Sequence, residues 1–206
     1  MGRWDVSLTR LCDKYFSWGN NMMWILVGSV GSVLQGADMN PGDIDVYVRD
    51  QQDVLRFAEI LDEFSLQARS PMEYSDHWLS SKAEPIFTQT FPSGFTWTKG
   101  RWNVENFKIE VVHISNSAGI PDSKDGDGIW EGGHYIWELS KPVKFKQYVV
   151  QTVPLEIQLE SNLRRKRQER VDAIIDALKK HGYDKELISK ALSTRNLPYF
   201  QEVIGE

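Results

Sequence analysis

The sequence predicts an α+β fold: a small mixed sheet flanked by helices, followed by a C-terminal helical region. Three observations predict it. Residues 24–48 read as strand, short helix and strand, with glycines at the junctions. The middle of the chain holds a hairpin signal and one long β-branched run, Phe107 to Ile114. From Pro154 onward the apolar residues recur at helical spacing. The boundary falls there, giving an α/β domain over 1–153 and a helical subdomain over 154–206.

Taken in order, residues 4–18 form a helix with Trp4, Leu8, Leu11, Tyr15 and Phe16 on one face. The first strand runs from Trp24 to Val27 and a helix from Ser29 to Gln35. A second strand covers Asp43 to Val48. Asp53 or Asp50 caps a helix carrying Val54, Phe57, Leu61 and Phe64. Ser70-Pro71 opens a loop. Residues 86–91 and 95–97 flank Pro92-Ser93-Gly94 as a hairpin. The strand 107–114 follows Lys99-Gly100-Arg101. Residues 115–133 are rich in Gly, Asp and Ser and read as a flexible surface segment, with a lid as a further reading. Its Asp122–Gly128 stretch has Lys124 at a ligand place and no closing glutamate, so it is not a calcium loop. Apolar alternation resumes over 135–153. Pro154 starts an amphipathic helix or helix pair reaching His181-Gly182, and a short helix begins at Asp184.

The chemistry concentrates in Gly28-Ser29 and Asp43-Ile44-Asp45. Residues two apart on a strand share a face, so Asp43 and Asp45 project together, with Ile44 and Val46 opposite. Paired carboxylates repel unless a cation neutralises them, and hard oxygen donors suit Mg²⁺. A small pair at the start of a helix suits phosphate oxygens, because free N–H groups and the helix dipole meet there. Together these features point to metal-assisted transfer of a phosphorus group.

This arrangement resembles the nucleotidyltransferase superfamily related to DNA polymerase beta. It is similar to the small bacterial members, the aminoglycoside and lincosamide nucleotidyltransferases and the minimal nucleotidyltransferases. Gly28-Ser29 stands at the family's glycine–serine position, Gly36 at a glycine ending the short helix, and Asp43 and Asp45 at its metal-binding acids. The resemblance implies a third acid on a later strand. Glu110 is the candidate and Glu105 the reserve, although Asn103 and Asn106 make the latter region a turn. It further implies that Asp43, Asp45 and Glu110 hold Mg²⁺, as two ions, and that Glu110 accepts the proton of an acceptor hydroxyl. Gly28 and Ser29 would hold the triphosphate of a nucleotide such as ATP. A nucleoside monophosphate would pass to the hydroxyl of a small-molecule or protein acceptor, releasing pyrophosphate. The alternative is a chain that keeps the fold as a binding or antitoxin-like partner without chemistry. The family's drug-modifying members place Arg and His before the acid pair. Here that place reads Met39-Asn40-Pro41-Gly42, which weakens an antibiotic acceptor.

Composition narrows the classes. The 206 residues carry a formal net charge of −5, which argues against a general nucleic-acid surface. The apolar stretch 22–34 is too short to span a bilayer and is interrupted by glycines. The charged N-terminus does not read as a signal peptide. The single cysteine, Cys12, excludes an internal disulfide and fits a cytoplasmic setting. Arg164-Arg165-Lys166-Arg167 point around a helix, so at most one or two reach an anion, Arg164 or Lys166 first. The four histidines show no ligand spacing.

Overall fold

The computed structural model describes residues 4–19, 22–65, 75 and 77–205. The loop expected at Ser70-Pro71 lies outside the described residues. By compactness the chain forms two units, Met1–Leu26 with Pro41–Ala118, and Val27–Asn40 with Gly119–Glu206. The chain-order division at 153/154 runs elsewhere. Residues 27–40 and 119–153 cluster with the C-terminal helices because their apolar and hydrogen-bonding partners lie there.

The first unit is a mixed sheet backed by helices, as the sequence predicts. Its strands are β1 (Trp24–Val27, whose last residue passes to the second unit), β2 (Ile44–Val48), β3 (Phe87–Thr90), β4 (Thr96–Val104) and β5 (Phe107–Asn116). They lie in the order β3-β4-β5-β2-β1. The β3/β4 and β4/β5 pairs are antiparallel and β2/β5 is parallel. Helices α1 (Trp4–Ser17) and α3 (Gln51–Ile60) both pack on β4 and β5. Tyr15 stacks on Phe57 with ring centres 5.8 Å apart, and Trp24 meets both rings edge-on. Leu8, Leu11, Val54 and Phe57 are wholly buried, each worth about 1.5–3 kcal/mol. Phe16, expected on this face, is 46% exposed, since it sits a further 100° around the helix from Tyr15. Asp50 stands at the N-cap position of α3 but its side chain makes no capping hydrogen bond, and Asp53 is buried in an ion pair with Arg56.

β4 is longer than the sequence reading allows. It takes in Lys99-Gly100-Arg101, which local composition marks as a connection. Glu105 and Asn106 both take positive φ, 51° and 62°, as the tightest hairpin turn requires. That turn pairs Val104 with Phe107 and, further out, Arg101 with Glu110.

In the second unit, α2 (Gly28–Leu34) contacts α5 (Leu155–Arg164). Helix α5 also packs on α6 (Gln168–His181) and α7 (Lys185–Ala191), and α8 (Leu197–Ile204) packs on α6. The expected helix pair is therefore found, with its break at Lys166, whose φ is +53°. Leu155, Leu159, Ile174, Ile175, Leu178, Ile188 and Phe200 form the core. A hairpin, β6 (Lys141–Phe145) and β7 (Tyr148–Thr152), follows the one-turn helix α4 (Ile136–Leu139). Helices α4 and α8 are absent from the sequence reading. One turn is too short for a periodic signal, and α8 opens through Pro198 after a helix already ended.

Helix α5 is buried nearly all round, so it carries its polar side chains inside and must satisfy them there. The buried Glu160 accepts from Arg164 Nε at 2.7 Å, Ser193 N at 3.0 Å and Asn196 Nδ2 at 2.9 Å. The same Arg164 guanidinium donates to the carbonyls of Pro121, Asp127 and Gly128. Asp122 accepts from the backbone N–H groups of Trp130 and His134. Of the segment 115–133, expected to be a flexible surface loop, residues 115 and 116 end β5, and 119–133 is pinned from two sides, with Ile129, Trp130 and Glu131 buried.

Candidate functional site

Strand β2 shows the alternation that the sequence requires. Ile44, Val46 and Val48 are buried, and Asp45 and Tyr47 are half-buried on the other face. Asp43, just before the strand, is also half-buried. Asp45 and Glu110 are register partners on the parallel strands β2 and β5. Glu110 in turn is the register partner of Arg101 on β4. The period of two then brings Lys108 and Lys99 to the same face. One sheet face of the first unit therefore gathers three acids and three bases.

The bases take Glu110. Its carboxylate is almost wholly buried, with Oε1 2.6 Å from Arg101 Nη2 and Oε2 2.9 Å from Lys99 Nζ. Lys108 Nζ lies 3.7 Å from Glu110 Oε1 and 3.3 Å from Asp43 Oδ2. Burial pushes the Glu110 carboxyl up, but the combined pull of Lys99, Arg101 and Lys108 outweighs it and holds the group below the usual glutamate range. Arg101 is itself buried and also donates to the carbonyls of Ser75 and Trp78. A carboxylate so engaged is a weak base, and each of its oxygens already faces a cationic partner.

Among the described residues, no three His, Cys, Asp or Glu side chains group closely enough to hold a metal ion. Asp43 and Asp45, two half-buried carboxylates on alternate residues, suit one hard divalent ion. A two-ion site completed by Glu110 does not fit the ion pairs that Glu110 makes. Glu105, the reserve acid, sits in the β4–β5 turn.

In the second unit, α2 begins at Gly28, whose φ is +64°. Its N-cap is Val27, which has no polar side chain, so the first N–H groups gain no side-chain cap. Ser29 Oγ is buried and finds no hydrogen-bond partner among the described residues. Such a hydroxyl costs about 1–3 kcal/mol unless a ligand or water bonds it. At its other end α2 closes with Gly36 at φ +100°, Gly36 N donating to Val33 O and Ala37 N to Ser32 O. A Cβ on Gly36 would stand 2.7 Å from His181 Nε2. Helix α5 holds α2 in place, since Ser32 Oγ lies 2.6 Å from Gln158 Oε1. Gln35 Nε2 also donates to Val153 O.

Of the basic run, Arg164 is consumed by Glu160 and the loop carbonyls, and Arg165 pairs with Glu131. Lys166 is exposed at the α5–α6 turn. Sequence reasoning missed Lys99, Arg101 and Lys108. The signal was there: counting outward from a two-residue turn at Glu105-Asn106 sets Arg101 opposite Glu110.

No protein-family model matches the chain, and no curated protein matches it. Among solved structures it is similar to a candidate nucleotidyltransferase from Thermotoga maritima, with 18% identity and a TM-score of 0.48. That match covers 84% of this chain and 91% of that one. A likeness this distant carries no activity across.

Proposed function

We propose that the chain is a nucleotidyltransferase that moves a nucleoside monophosphate from a nucleoside triphosphate to an acceptor hydroxyl, releasing pyrophosphate. The observation that carries this reading is β2, which buries its apolar residues and turns Asp45 away from the core, with Asp43 two residues before it. The unpartnered Ser29 hydroxyl at the start of α2 supports it, because a phosphate oxygen is the acceptor it lacks.

The chain's own residues divide the work. The uncapped N–H groups of α2 and the Ser29 hydroxyl bind phosphate oxygens. Asp43 and Asp45, in the first unit, would hold a Mg²⁺ ion, and the chemistry it would supply is neutralisation of phosphate charge. Lys99 and Lys108 add positive potential to the face that carries the acids. Glu110, held ionised and paired, fixes those lysines, and the proton of the acceptor hydroxyl passes to solvent water rather than to Glu110. The acceptor is a small molecule or a protein side chain, and Cys12, a buried cysteine outside any disulfide, suits a reducing cytoplasm.

The test is incubation of the full chain with Mg²⁺, α-labelled nucleoside triphosphates and a cell extract, followed by detection of pyrophosphate and of the labelled acceptor. Asp45→Asn is expected to abolish both signals. Undiminished labelling by that variant contradicts the assignment.

The engagement of Glu110 favours a second reading, a chain that binds nucleotide without transferring it. Calorimetry showing Mg²⁺-dependent nucleotide binding, with no pyrophosphate released in any extract, would select it.

A further inference from the structure

The cluster around Glu110 contains a cation already in place. The Lys108 ammonium stands within 4 Å of both Asp43 and Glu110. Arg101 and Lys99 occupy both Glu110 oxygens from the neighbouring strand. Each member follows from the register: Lys99 and Arg101 alternate on β4, and Lys108 and Glu110 alternate on β5. Arg101 is buried among backbone carbonyls and cannot leave, whereas Lys108 is 36% exposed on a long stem and can move.

We propose that Lys108 is a built-in counter-ion of the acid pair and stands where a second metal ion would otherwise be needed. This rests on the reading of Asp43 and Asp45 as divalent-ion ligands. A divalent ion arriving at those acids meets the ammonium on Asp43 Oδ2 and displaces it. Glu110, 3.7 Å away, receives the displaced lysine and keeps its charge compensated. Loading is therefore an exchange of one cation for another. The site takes one ion per chain, and Lys108 works as a positioning residue that sets how tightly that ion is held. The positive charge retained beside the ion also suits an anionic ligand such as a triphosphate.

The experiment is Mn²⁺ titration of the full chain without nucleotide, following free Mn²⁺ by electron paramagnetic resonance. The wild type is expected to bind one ion. Lys108→Met, which keeps the stem and removes the charge, is expected to bind one ion about tenfold more tightly, from relief of like-charge repulsion. Lys108→Arg, which restores the charge, is expected to return to the wild-type affinity. Thermal melts of each variant establish that it is folded. Two ions per wild-type chain, or a Lys108→Met affinity equal to or weaker than wild type, overturns the role of Lys108. Asp45→Asn separates this from failure of the underlying reading. If that variant still binds Mn²⁺ as the wild type does, the acids are not the ligands and both proposals fall. If it loses the ion while Lys108→Met is unchanged, only the role of Lys108 falls.

Discussion

Replacing Glu110 by Gln separates a structural carboxylate from one waiting for a ligand. In the structure Glu110 is 6% exposed and Arg101 4% exposed, and they meet at 2.6 Å. Removing one charge of such a buried pair leaves the other uncompensated and costs about 3–5 kcal/mol. Gln retains an acceptor for Arg101, so the lower end, about 3 kcal/mol, is expected. With a urea dependence of about 1–3 kcal/mol per molar, the midpoint should fall by at least about 1 M. Trp78 and Trp102, buried in the same unit, give a fluorescence signal for it. The pH dependence provides a second reading of the same pair. The folded pKa of Glu110 lies below its unfolded value, so its stabilisation is complete above the ordinary glutamate range. That stabilisation drains away as pH falls through the lowered folded value, and the Gln variant should lack that part of the acid limb. A loss under about 1 kcal/mol, with the acid limb unchanged, would refute the claim that Arg101 and Lys99 hold Glu110.

Three further outcomes follow from single contacts. Ser29→Ala removes an unpartnered buried hydroxyl, so the free chain should melt at the same or a higher temperature while nucleotide affinity, by calorimetry, drops. Equal affinity would count against the phosphate role. Gly36→Ala combines a φ of +100° with a Cβ contact of 2.7 Å to His181, so a loss of at least about 1 kcal/mol should appear in chemical denaturation. Arg164→Met strips the buried Glu160 of its cation and frees three carbonyls, costing about 3–5 kcal/mol. Hydrogen exchange at 121–131 should quicken, and protection equal to the wild type would show that the loop is held by other means.

What the chain's sequence determined by itself was local. The period of two on β2 placed Ile44, Val46 and Val48 inward and Asp45 outward, because successive strand side chains alternate whatever the neighbours are. Helical spacing located α1, α5 and α6, and Gly182 marked a helix end, since backbone handedness is a property of the residue itself. Tertiary structure decided what those groups meet. Glu110 reads as one acid in an apolar run, yet pairing of β5 with β4 surrounds it with Arg101 and Lys99. The segment 115–133 has the composition of a flexible surface loop. It is ordered by Arg164, whose sequence neighbours suggested an anion site, not a clamp on carbonyls. For the loop the deciding partner is distant along the chain, and for Glu110 it lies across a hairpin whose register the turn at Glu105-Asn106 sets. A charge is satisfied by whichever opposite group the fold brings within a few ångströms, and no local pattern records that distance.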